Sequence, residues 1–252
     1  WPDSMFDYLI EDGILFSNDA FGQHYASSQR FDDEVSIEVI MDESAKYFAN
    51  ILWPLSPLIL KKIDEIQKMN IDIKMILNSH GLSWRRHAAK VIDYYLAWSK
   101  GENKDKVIIA YDTMWHSTEK MAKAILEGIV SQGVEVKLYR LPVSDMGDVI
   151  KEFLDAKGLL LGSSTVNNDI LPTVAEFLHE LKGLRPLNKI AACFGSYGWT
   201  KDSAMKASEA GLQEAGIKLG LPAFSVKYVP SKEELNQCFD FGRRFASEIK
   251  RG

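Results

Sequence analysis

The chain has 252 residues, of which 46% are hydrophobic and 26% charged, a composition that excludes a disordered or fibrous protein. Its 30 basic and 35 acidic residues give a net charge of -5 without long blocks of one sign, which argues against a nucleic-acid partner. No apolar run approaches the roughly 20 residues that a membrane-spanning helix needs, and the first residues lack the layout of a signal peptide. We therefore expect a cytoplasmic protein.

Regular structure is predicted within residues 1–98. Ser56 is placed to cap an amphipathic helix that has Pro57 in its first turn, and apolar residues then recur at helical spacing as far as Met69. Residues 71–77 alternate apolar and polar side chains, which predicts a strand that ends at a loop containing His80. Because the chain begins at Trp1 without an initiator methionine, we expect further sequence upstream.

A change of pattern marks a domain boundary. Residues 99–106 contain no hydrophobic side chain, and we assign residues 1–100 and 101–252 to two domains. Beyond the boundary, short apolar runs alternate with longer amphipathic stretches, which is typical of parallel strands buried on both faces and of their crossover helices. The five predicted strands are residues 107–111, 134–140, 158–162, 189–195 and 223–229. They predict an α/β fold with a doubly wound, five-stranded parallel sheet.

The crossover helices of this sheet are also visible in the sequence. Their clearest apolar face is formed by Met121, Ala122, Ile125 and Ile129. Ser231 is placed to cap the last helix. Cys193 lies in the fourth strand and Cys238 in the last helix, without metal-ligand spacing. Both are interpreted as packing residues of a protein from a reducing compartment.

The loop after the first strand of the second domain is predicted to bind a phosphate. In doubly wound sheets, ligands bind beyond the carboxyl ends of the strands, where the winding reverses. This loop opens directly into a helix, whose free N–H groups and dipole stabilise an anion without a lysine, an arginine or a Walker-type ending. Hydroxyl groups of Thr113, Ser117 and Thr118 can add hydrogen bonds. The predicted binding residues are Thr113, Met114, Trp115, His116, Ser117 and Thr118.

The loops after the third and fourth strands are predicted to hold a planar ring. They consist of Ser164, Thr165, Val166, Asn167 and Asn168, and of Ser196, Tyr197, Gly198 and Trp199. Asparagine side chains and backbone amides can bond the pyrimidine edge of an isoalloxazine, and Trp115, Tyr197 and Trp199 can stack on its faces. One such loop alone is equally well explained as an ordinary polar turn. Three of them at the switch-point positions favour the flavin nucleotide FMN.

The order of these motifs resembles a known family. TMWHST, STVNND followed by ILPTV, and GSYGW look like the flavodoxin module of flavodiiron proteins, also called A-type flavoproteins, over residues 106–250. The resemblance extends backward through WPDSM at residues 1–5, SNDAFGQH at residues 17–24 and SHGLSWR at residues 79–85. These motifs are similar to the second half of the family's metallo-β-lactamase-like domain. The resemblance implies a flavodoxin-like sheet preceded by the C-terminal part of an αββα domain.

The resemblance also implies two non-haem irons in the first domain. The family pattern places a bridging carboxylate on Asp19 and a histidine ligand on His80, and both groups suit iron. Taken without the family, Asp19 is a turn residue, and a single histidine is no metal site. The family's His-x-Glu-x-Asp-His cluster and a further histidine ligand are expected upstream of Trp1. The remaining histidines, interpreted as structural or surface residues, are His24, His87, His116 and His179.

An oxidoreductase is the function that this resemblance implies. FMN would pass electrons to the irons, where dioxygen is reduced to water or nitric oxide to nitrous oxide, provided that the upstream sequence is present. The electrons would come from rubredoxin or from a reduced deazaflavin coenzyme, and a head-to-tail homodimer or tetramer would bring the flavin of one chain to the irons of another. An FMN electron-carrier module without a complete metal site is the main alternative. A hydrolase of the metallo-β-lactamase type is a weaker one.

Overall fold

The computed structural model describes residues 5–251, so most of the WPDSM motif, residues 1–4, lies outside the described part of the chain. The chain divides into two compact units, Trp1–Glu102 and Asn103–Gly252, here called unit 1 and unit 2. The division falls within the hydrophobic-free segment at residues 99–106. Most of that segment has regular structure, because one helix ends at Lys100 and a strand begins at Lys104.

The described residues of unit 1 form a small sheet and three α-helices. Its elements are β1 (Asp7–Leu9), β2 (Ile14–Asn18), α1 (Ile37–Tyr47), α2 (Ser56–Met69), β3 (Met75–Asn78) and α3 (Ala88–Lys100). β1 pairs antiparallel with β2, and β2 pairs parallel with β3. The core is aromatic: the ring of Tyr95 lies 4.7 Å from that of Phe21 and 5.1 Å from that of Phe48. Such ring pairs add to the free energy gained from burial alone.

The two elements predicted in unit 1 are present with changed ends. The helix up to Met69 is confirmed, with Pro57 in its first turn, but Ser56 is wrong as the N-cap. Ser56 already lies in the helix, and its Oγ donates to the carbonyl oxygen of Trp53 at 2.6 Å. The strand predicted at residues 71–77 is limited to β3. Its partner strand β2 begins only at Ile14, after Gly13, whose carbonyl oxygen accepts the amide of Lys74 at 2.9 Å, so residues 71–74 lie before the paired part of this sheet.

Unit 2 contains the predicted parallel sheet. Its strands are β4 (Lys104–Tyr111), β5 (Glu135–Arg140), β6 (Ala156–Ser164), β7 (Ile190–Tyr197), β8 (Lys218–Leu219) and β9 (Phe224–Lys227). They are ordered β5-β4-β6-β7, and both β8 and β9 pair parallel with β7, at its beginning and its end respectively. The doubly wound sheet with all five predicted strands is therefore confirmed. β8 was missed because a strand of two residues has no readable alternation.

Five α-helices cover this sheet. They are α4 (Ser117–Val130), α5 (Met146–Leu154), α6 (Pro172–Leu184), α7 (Ser203–Glu214) and α8 (Lys232–Arg251). The predicted apolar face of α4 is fully buried. Ser231 caps α8 as predicted: its Oγ accepts the amide of Glu234 at 3.3 Å, and the Glu234 carboxylate accepts the amide of Ser231 at 2.7 Å. Among the helices of the described residues, none is both long and apolar enough to cross a membrane.

Both cysteines of unit 2 are buried free thiols, as expected of packing residues. Burial raises the pKa of the Cys193 thiol above its ordinary range, and it raises the pKa of Cys238 to about 12. Because the thiolate is the reactive form of cysteine, neither side chain is activated for chemistry.

Helices α4 and α8 approach each other at two glycines. A Cβ atom added at Gly128 would lie 2.0 Å from the carbonyl oxygen of Phe239, and one added at Gly242 would lie 2.1 Å from that of Ile125. Both distances are far below van der Waals contact, and both neighbours are backbone atoms that cannot turn aside. The two helices can therefore pack at this distance only because these positions lack a side chain.

A buried carboxylate organises the start of α3 in unit 1. Asp32 is 0% exposed, and its oxygens accept the backbone amides of Arg85 at 2.7 Å, Arg86 at 3.2 Å and His87 at 2.9 Å. The second oxygen also bonds the Nδ1 atom of His87 at 2.7 Å. Since α3 begins at Ala88, a residue distant in sequence satisfies the free amides before this helix. The interpretation of His87 as a structural histidine agrees with this bond.

These bonds set the protonation of Asp32. Burial alone would raise the pKa of Asp32, but the amide and His87 hydrogen bonds outweigh burial and hold it below its ordinary value. A carboxyl whose pKa is lower in the folded than in the unfolded state contributes stability above its unfolded pKa. That contribution is lost as the pH falls through the folded pKa.

The variant Asp32→Asn is expected to lower the free energy of unfolding of unit 1 by about 2 kcal/mol at pH 7, because its NH₂ group would face backbone donors. The difference from wild type should shrink as the pH falls below about 4. Urea unfolding followed by tryptophan fluorescence at several pH values measures it. Asp33→Asn, at the neighbouring carboxylate that pairs with Arg85 at 2.8 Å near the surface, is the control and should cost well under about 1 kcal/mol. Equal losses at both positions would contradict the assignment.

Candidate functional site

Three hydroxyl groups from different loops of unit 2 meet at one edge of the sheet. Thr118 Oγ1, at the start of α4, lies 2.9 Å from Ser164 Oγ at the end of β6 and 3.3 Å from Ser196 Oγ near the end of β7. All three residues are buried. They are 46 and 78 residues apart in sequence, so only the topology of the sheet brings them together. The structure thus joins the three loops that were predicted to bind one ligand.

The loop between β4 and α4 has the features of an anion site. His116 is the N-cap of α4, it adopts a left-handed conformation with φ 63°, and it makes no side-chain capping bond to the helix. The first amides of α4 are therefore open to a bound group. Thr113 Oγ1 is a buried oxygen that has no hydrogen-bond partner among the described residues. Because buried hydroxyls are nearly always bonded, this atom fits a ligand such as a phosphate group.

The charged groups next to this loop pair with one another, and residues 112–116 contain neither lysine nor arginine. His116 Nδ1 lies 2.7 Å from a Glu119 oxygen, and Lys123 Nζ lies 2.6 Å from the other oxygen. The Lys123 bond first, and the His116 bond second, lower the pKa of Glu119 to about 2. The carboxylate is thereby turned toward two partners on the helix surface. A dianion at the helix N-terminus would be held by amides, hydroxyls and the dipole.

The loop after β6 forms a tight two-residue turn. Val166 and Asp169 exchange two backbone hydrogen bonds of 3.0 and 2.8 Å around Asn167 and Asn168. Both asparagines have positive φ, at 50° and 61°, which is the conformation that asparagine tolerates best after glycine. The Thr165 amide donates to the Ser196 carbonyl oxygen at 2.9 Å. The turn is thereby fixed next to the loop that follows β7.

The loop after β7 presents aromatic surface. Trp199 is 98% exposed, and Trp115 in the first loop is 82% exposed, although tryptophan is usually largely buried. The carbonyl oxygen of Tyr197 accepts the amide of Tyr228 at 2.8 Å, which places this further aromatic residue beside the loop. Exposed large apolar side chains around a polar site are suited to cover a planar ligand. Trp115 and Trp199 are therefore both available to a flavin ring, whereas the predicted Tyr197 is half-buried at the end of β7.

Three residues that complete these loops were not predicted. Asp112, directly after β4, is buried and accepts the Thr113 amide and the Thr173 hydroxyl, each at 2.6 Å. Thr200 Oγ1 donates to the Asn168 side chain and links the second and third loops. Tyr228 follows the last strand. Asp112 could have been predicted as a site residue from its position at the carboxyl end of β4. The bonds from Thr173 to Asp112 and from Thr200 to Asn168 could not, because they join residues far apart in sequence.

The two predicted metal ligands of unit 1 are also brought together. His80 Nε2 lies 3.0 Å from Asp19 Oδ1, and their side chains are 45% and 32% exposed. Asp19 follows β2 and His80 follows β3, and these strands are parallel neighbours. A carboxylate and an imidazole at this spacing fit two ligands of a shared metal centre. Within residues 5–251, however, no group of three or more metal-binding side chains is present. The pair fits part of an iron site.

Two further aromatic residues surround His80. The rings of His24 and Tyr47 each lie 5.8 Å from that of His80, and they lie 4.8 Å from each other. Burial, followed by the charge of Asp19, raises the pKa of Tyr47 to about 12, so the phenol stays protonated at neutral pH. The proximity of His24 to the ligand pair was not predicted, because the two histidines are far apart in sequence. His179 is an exposed residue of α6.

Known proteins are similar to this chain along almost its whole length. The flavodoxin family model matches residues 109–242. The chain is 54% identical over 250 residues to the nitric oxide reductase of Moorella thermoacetica. This match covers 99% of the chain and 62% of the reductase. The structure of rubredoxin oxygen:oxidoreductase from Desulfovibrio gigas matches with a TM-score of 0.96 and 34% identity, over 99% of this chain and 63% of that one. The flavodiiron protein from Giardia intestinalis matches with a TM-score of 0.92 and 35% identity, over 99% and 62%.

These matches include unit 1 as well as unit 2, although the chain spans less than two thirds of each of these relatives. The flavodoxin match alone covers more than half of the chain and contains all three loops of the hydroxyl cluster. The resemblance seen in the motifs is therefore confirmed. The chain belongs to the flavodiiron proteins, with a flavodoxin-family domain at residues 109–242.

Proposed function

We propose that unit 2 binds FMN and that the complete protein is a di-iron oxidoreductase that reduces dioxygen to water or nitric oxide to nitrous oxide. The observation that carries the proposal is the meeting of Thr118, Ser164 and Ser196 at the carboxyl ends of their strands. A doubly wound sheet binds its ligand at this edge. When bound, FMN would accept electrons from a donor and pass them on to iron.

Each loop has a defined part in holding FMN. The open amides of α4 and the hydroxyls of Thr113, Ser117 and Thr118 would bind the phosphate, and the buried, unbonded Thr113 Oγ1 supports this assignment. The remaining predicted residues of this loop, Met114, Trp115 and His116, would surround the phosphate and the near side of the ring. The turn at Asn167 and the loop at Gly198 would bind the ring edge, where polar side chains and backbone groups are close together.

The metal site is proposed to be shared with sequence outside this chain. Asp19 and His80 would supply two ligands from the ends of neighbouring strands, since their side chains are in contact and partly open to solvent. Two ligands are fewer than two irons need. The remaining carboxylate and histidine ligands of the family would come from a segment that corresponds to the part of the relatives that this chain does not span. Unit 1 would then be the C-terminal part of a metallo-β-lactamase-like domain, residues 1–100.

Partners are proposed from the family. The name of the Desulfovibrio gigas relative supports rubredoxin as the electron donor, with a reduced deazaflavin coenzyme as the other possibility. A head-to-tail homodimer or tetramer would bring the flavin of one chain close to the irons of another. Two buried, free cysteines support a cytoplasmic location.

An FMN electron carrier is the second candidate function. It is favoured by the observation that unit 2 by itself contains all three predicted flavin loops. A carrier would bind FMN and hold no iron. The two candidates therefore differ in metal content and in how the reduced protein reacts with oxygen.

One experiment separates these functions. Iron and FMN are measured per chain in the purified complete protein. The protein is then reduced anaerobically, and flavin reoxidation is followed after dioxygen or nitric oxide is added. The reductase should contain two irons and one FMN per chain and reoxidise promptly without releasing peroxide. Bound FMN without iron, with slow reoxidation that yields peroxide, would indicate the carrier. A colourless protein that is still colourless after incubation with FMN and removal of the unbound FMN would refute both.

A further inference from the structure

A buried glutamine connects the two loops that carry Asp19 and His80. Gln23 is 0% exposed and uses both ends of its side chain amide. Its Nε2 donates to the carbonyl oxygen of Leu82 at 2.9 Å, and its Oε1 accepts the amide of Leu82 at 2.6 Å. The Gln23 side chain therefore makes the same pair of hydrogen bonds to the Leu82 backbone that a neighbouring β-strand would make, although Leu82 lies 59 residues further along the chain.

The same residue also bonds the backbone of the histidine itself. The amide of Gln23 donates to the carbonyl oxygen of His80 at 3.1 Å. Gly81, between His80 and Leu82, has φ +80°, and a Cβ atom there would lie 1.5 Å from Gln23 Oε1. Only glycine can take this conformation with the glutamine so close. Gln23 thus fixes the residues on both sides of Gly81.

A tight turn directly before Gln23 connects it to Asp19. The amide of Gly22 donates to the carbonyl oxygen of Asp19 at 3.2 Å, which closes a turn directly before Gln23. A second bond between the loops runs from the Ser79 amide to the Asn18 carbonyl oxygen at 2.8 Å, and these two residues directly precede His80 and Asp19 in the sequence. The two loops are therefore joined before and after Asp19 and His80, and Gln23 is the member of this set whose side chain is buried and doubly bonded.

We propose that Gln23 is a positioning residue for the metal ligands: it sets the spacing of Asp19 and His80 without touching either side chain. This inference rests on the proposed di-iron function. Residues that orient metal ligands through hydrogen bonds commonly change metal affinity about 10-fold or more when replaced. Because the amide is buried, its loss leaves the Leu82 amide and carbonyl without partners, and the loop between His80 and Leu82 can shift.

The test compares Gln23→Met with Gln29→Met in the holoprotein. Methionine has nearly the length of glutamine but cannot make the two Leu82 bonds, and Gln29 is an exposed glutamine six positions further along the chain. Iron release to a chelator and the electron paramagnetic resonance spectrum of the bound irons are measured, together with FMN content. Gln23→Met should release iron about 10-fold faster with an altered spectrum, whereas Gln29→Met should match wild type. FMN content should be unchanged in both, because unit 2 is intact.

The outcomes separate this inference from the proposed function. Iron retention and a spectrum equal to wild type in Gln23→Met would overturn the inference alone. A wild-type protein that binds FMN but no iron would overturn the di-iron function and the inference with it. If Gln23→Met does not fold, Gln23→Glu retains an acceptor for the Leu82 amide and provides the same comparison. Gln23→Glu should release iron faster than wild type, and a wild-type rate would again refute the proposal.

Discussion

Replacing Gly128 by alanine is expected to lower the free energy of unfolding of unit 2 by about 3 kcal/mol, more than a hundredfold change in the folding equilibrium. The added methyl group would lie 2.0 Å from the Phe239 carbonyl oxygen and 3.1 Å from the Arg243 amide nitrogen, both in the backbone of α8. The helices must then separate along their whole contact. This separation opens space around residues of α4 that pack below the phosphate loop, such as Met121 and Ile125.

The same substitution at a helical glycine with free space around it should raise the free energy of unfolding instead. Gly183 lies in α6, has no atom within 4 Å of an added Cβ, and is not among the residues with positive φ. Because alanine favours helix by about 0.5 to 1 kcal/mol over glycine, Gly183→Ala should stabilise unit 2. Guanidinium unfolding followed by far-ultraviolet circular dichroism compares the two variants. Equal stability of Gly128→Ala and wild type would mean that α4 and α8 can separate freely, which would contradict the tight contact described above.

The parallel sheet could be predicted because its strands are buried on both faces. Continuous apolar runs such as the one around Leu160 have few alternative explanations, and the carboxyl ends of such strands meet at one edge. The convergence of Thr118 with Ser164 and Ser196 follows from that rule alone. The positions of strand ends were less predictable, as in residues 71–74, because pairing depends on where a partner begins.

Contacts of side chains with a distant backbone could not be predicted. The bond from Gln23 to Leu82 and those from Asp32 to the start of α3 join residues more than 50 positions apart. Neither leaves a period or a spacing in the sequence, because each needs only one polar residue at one place. Ser56 is a case in which a local pattern was misleading. A serine followed by proline is typical of a helix N-cap, but the helical turn at residues 53–55 continues directly into α2, so Ser56 lies inside the helix and no cap is needed there.

Ser117→Asp is expected to weaken FMN binding by at least about 100-fold, the effect of a single phosphate charge, while leaving riboflavin binding nearly unchanged. Ser117 is the first residue of α4 and is buried next to the proposed phosphate position. At about 5 Å and an effective dielectric constant of about 20, a carboxylate repels each phosphate charge by about 3 kcal/mol. Every 1.4 kcal/mol corresponds to about a factor of ten in affinity. Quenching of flavin fluorescence, titrated into the apoprotein, measures both dissociation constants.

The same substitution should not destabilise the apoprotein, and this distinguishes lost binding from lost structure. A negative charge in the first turn of a helix is favourable by about 0.3 to 1 kcal/mol, so the unliganded variant should be at least as stable as wild type. Ser117→Asn, which has the shape of the aspartate without its charge, is the control and should bind FMN much more tightly than Ser117→Asp. If the two variants lost FMN affinity equally, or if riboflavin binding fell as far as FMN binding, the phosphate would not lie at the start of α4.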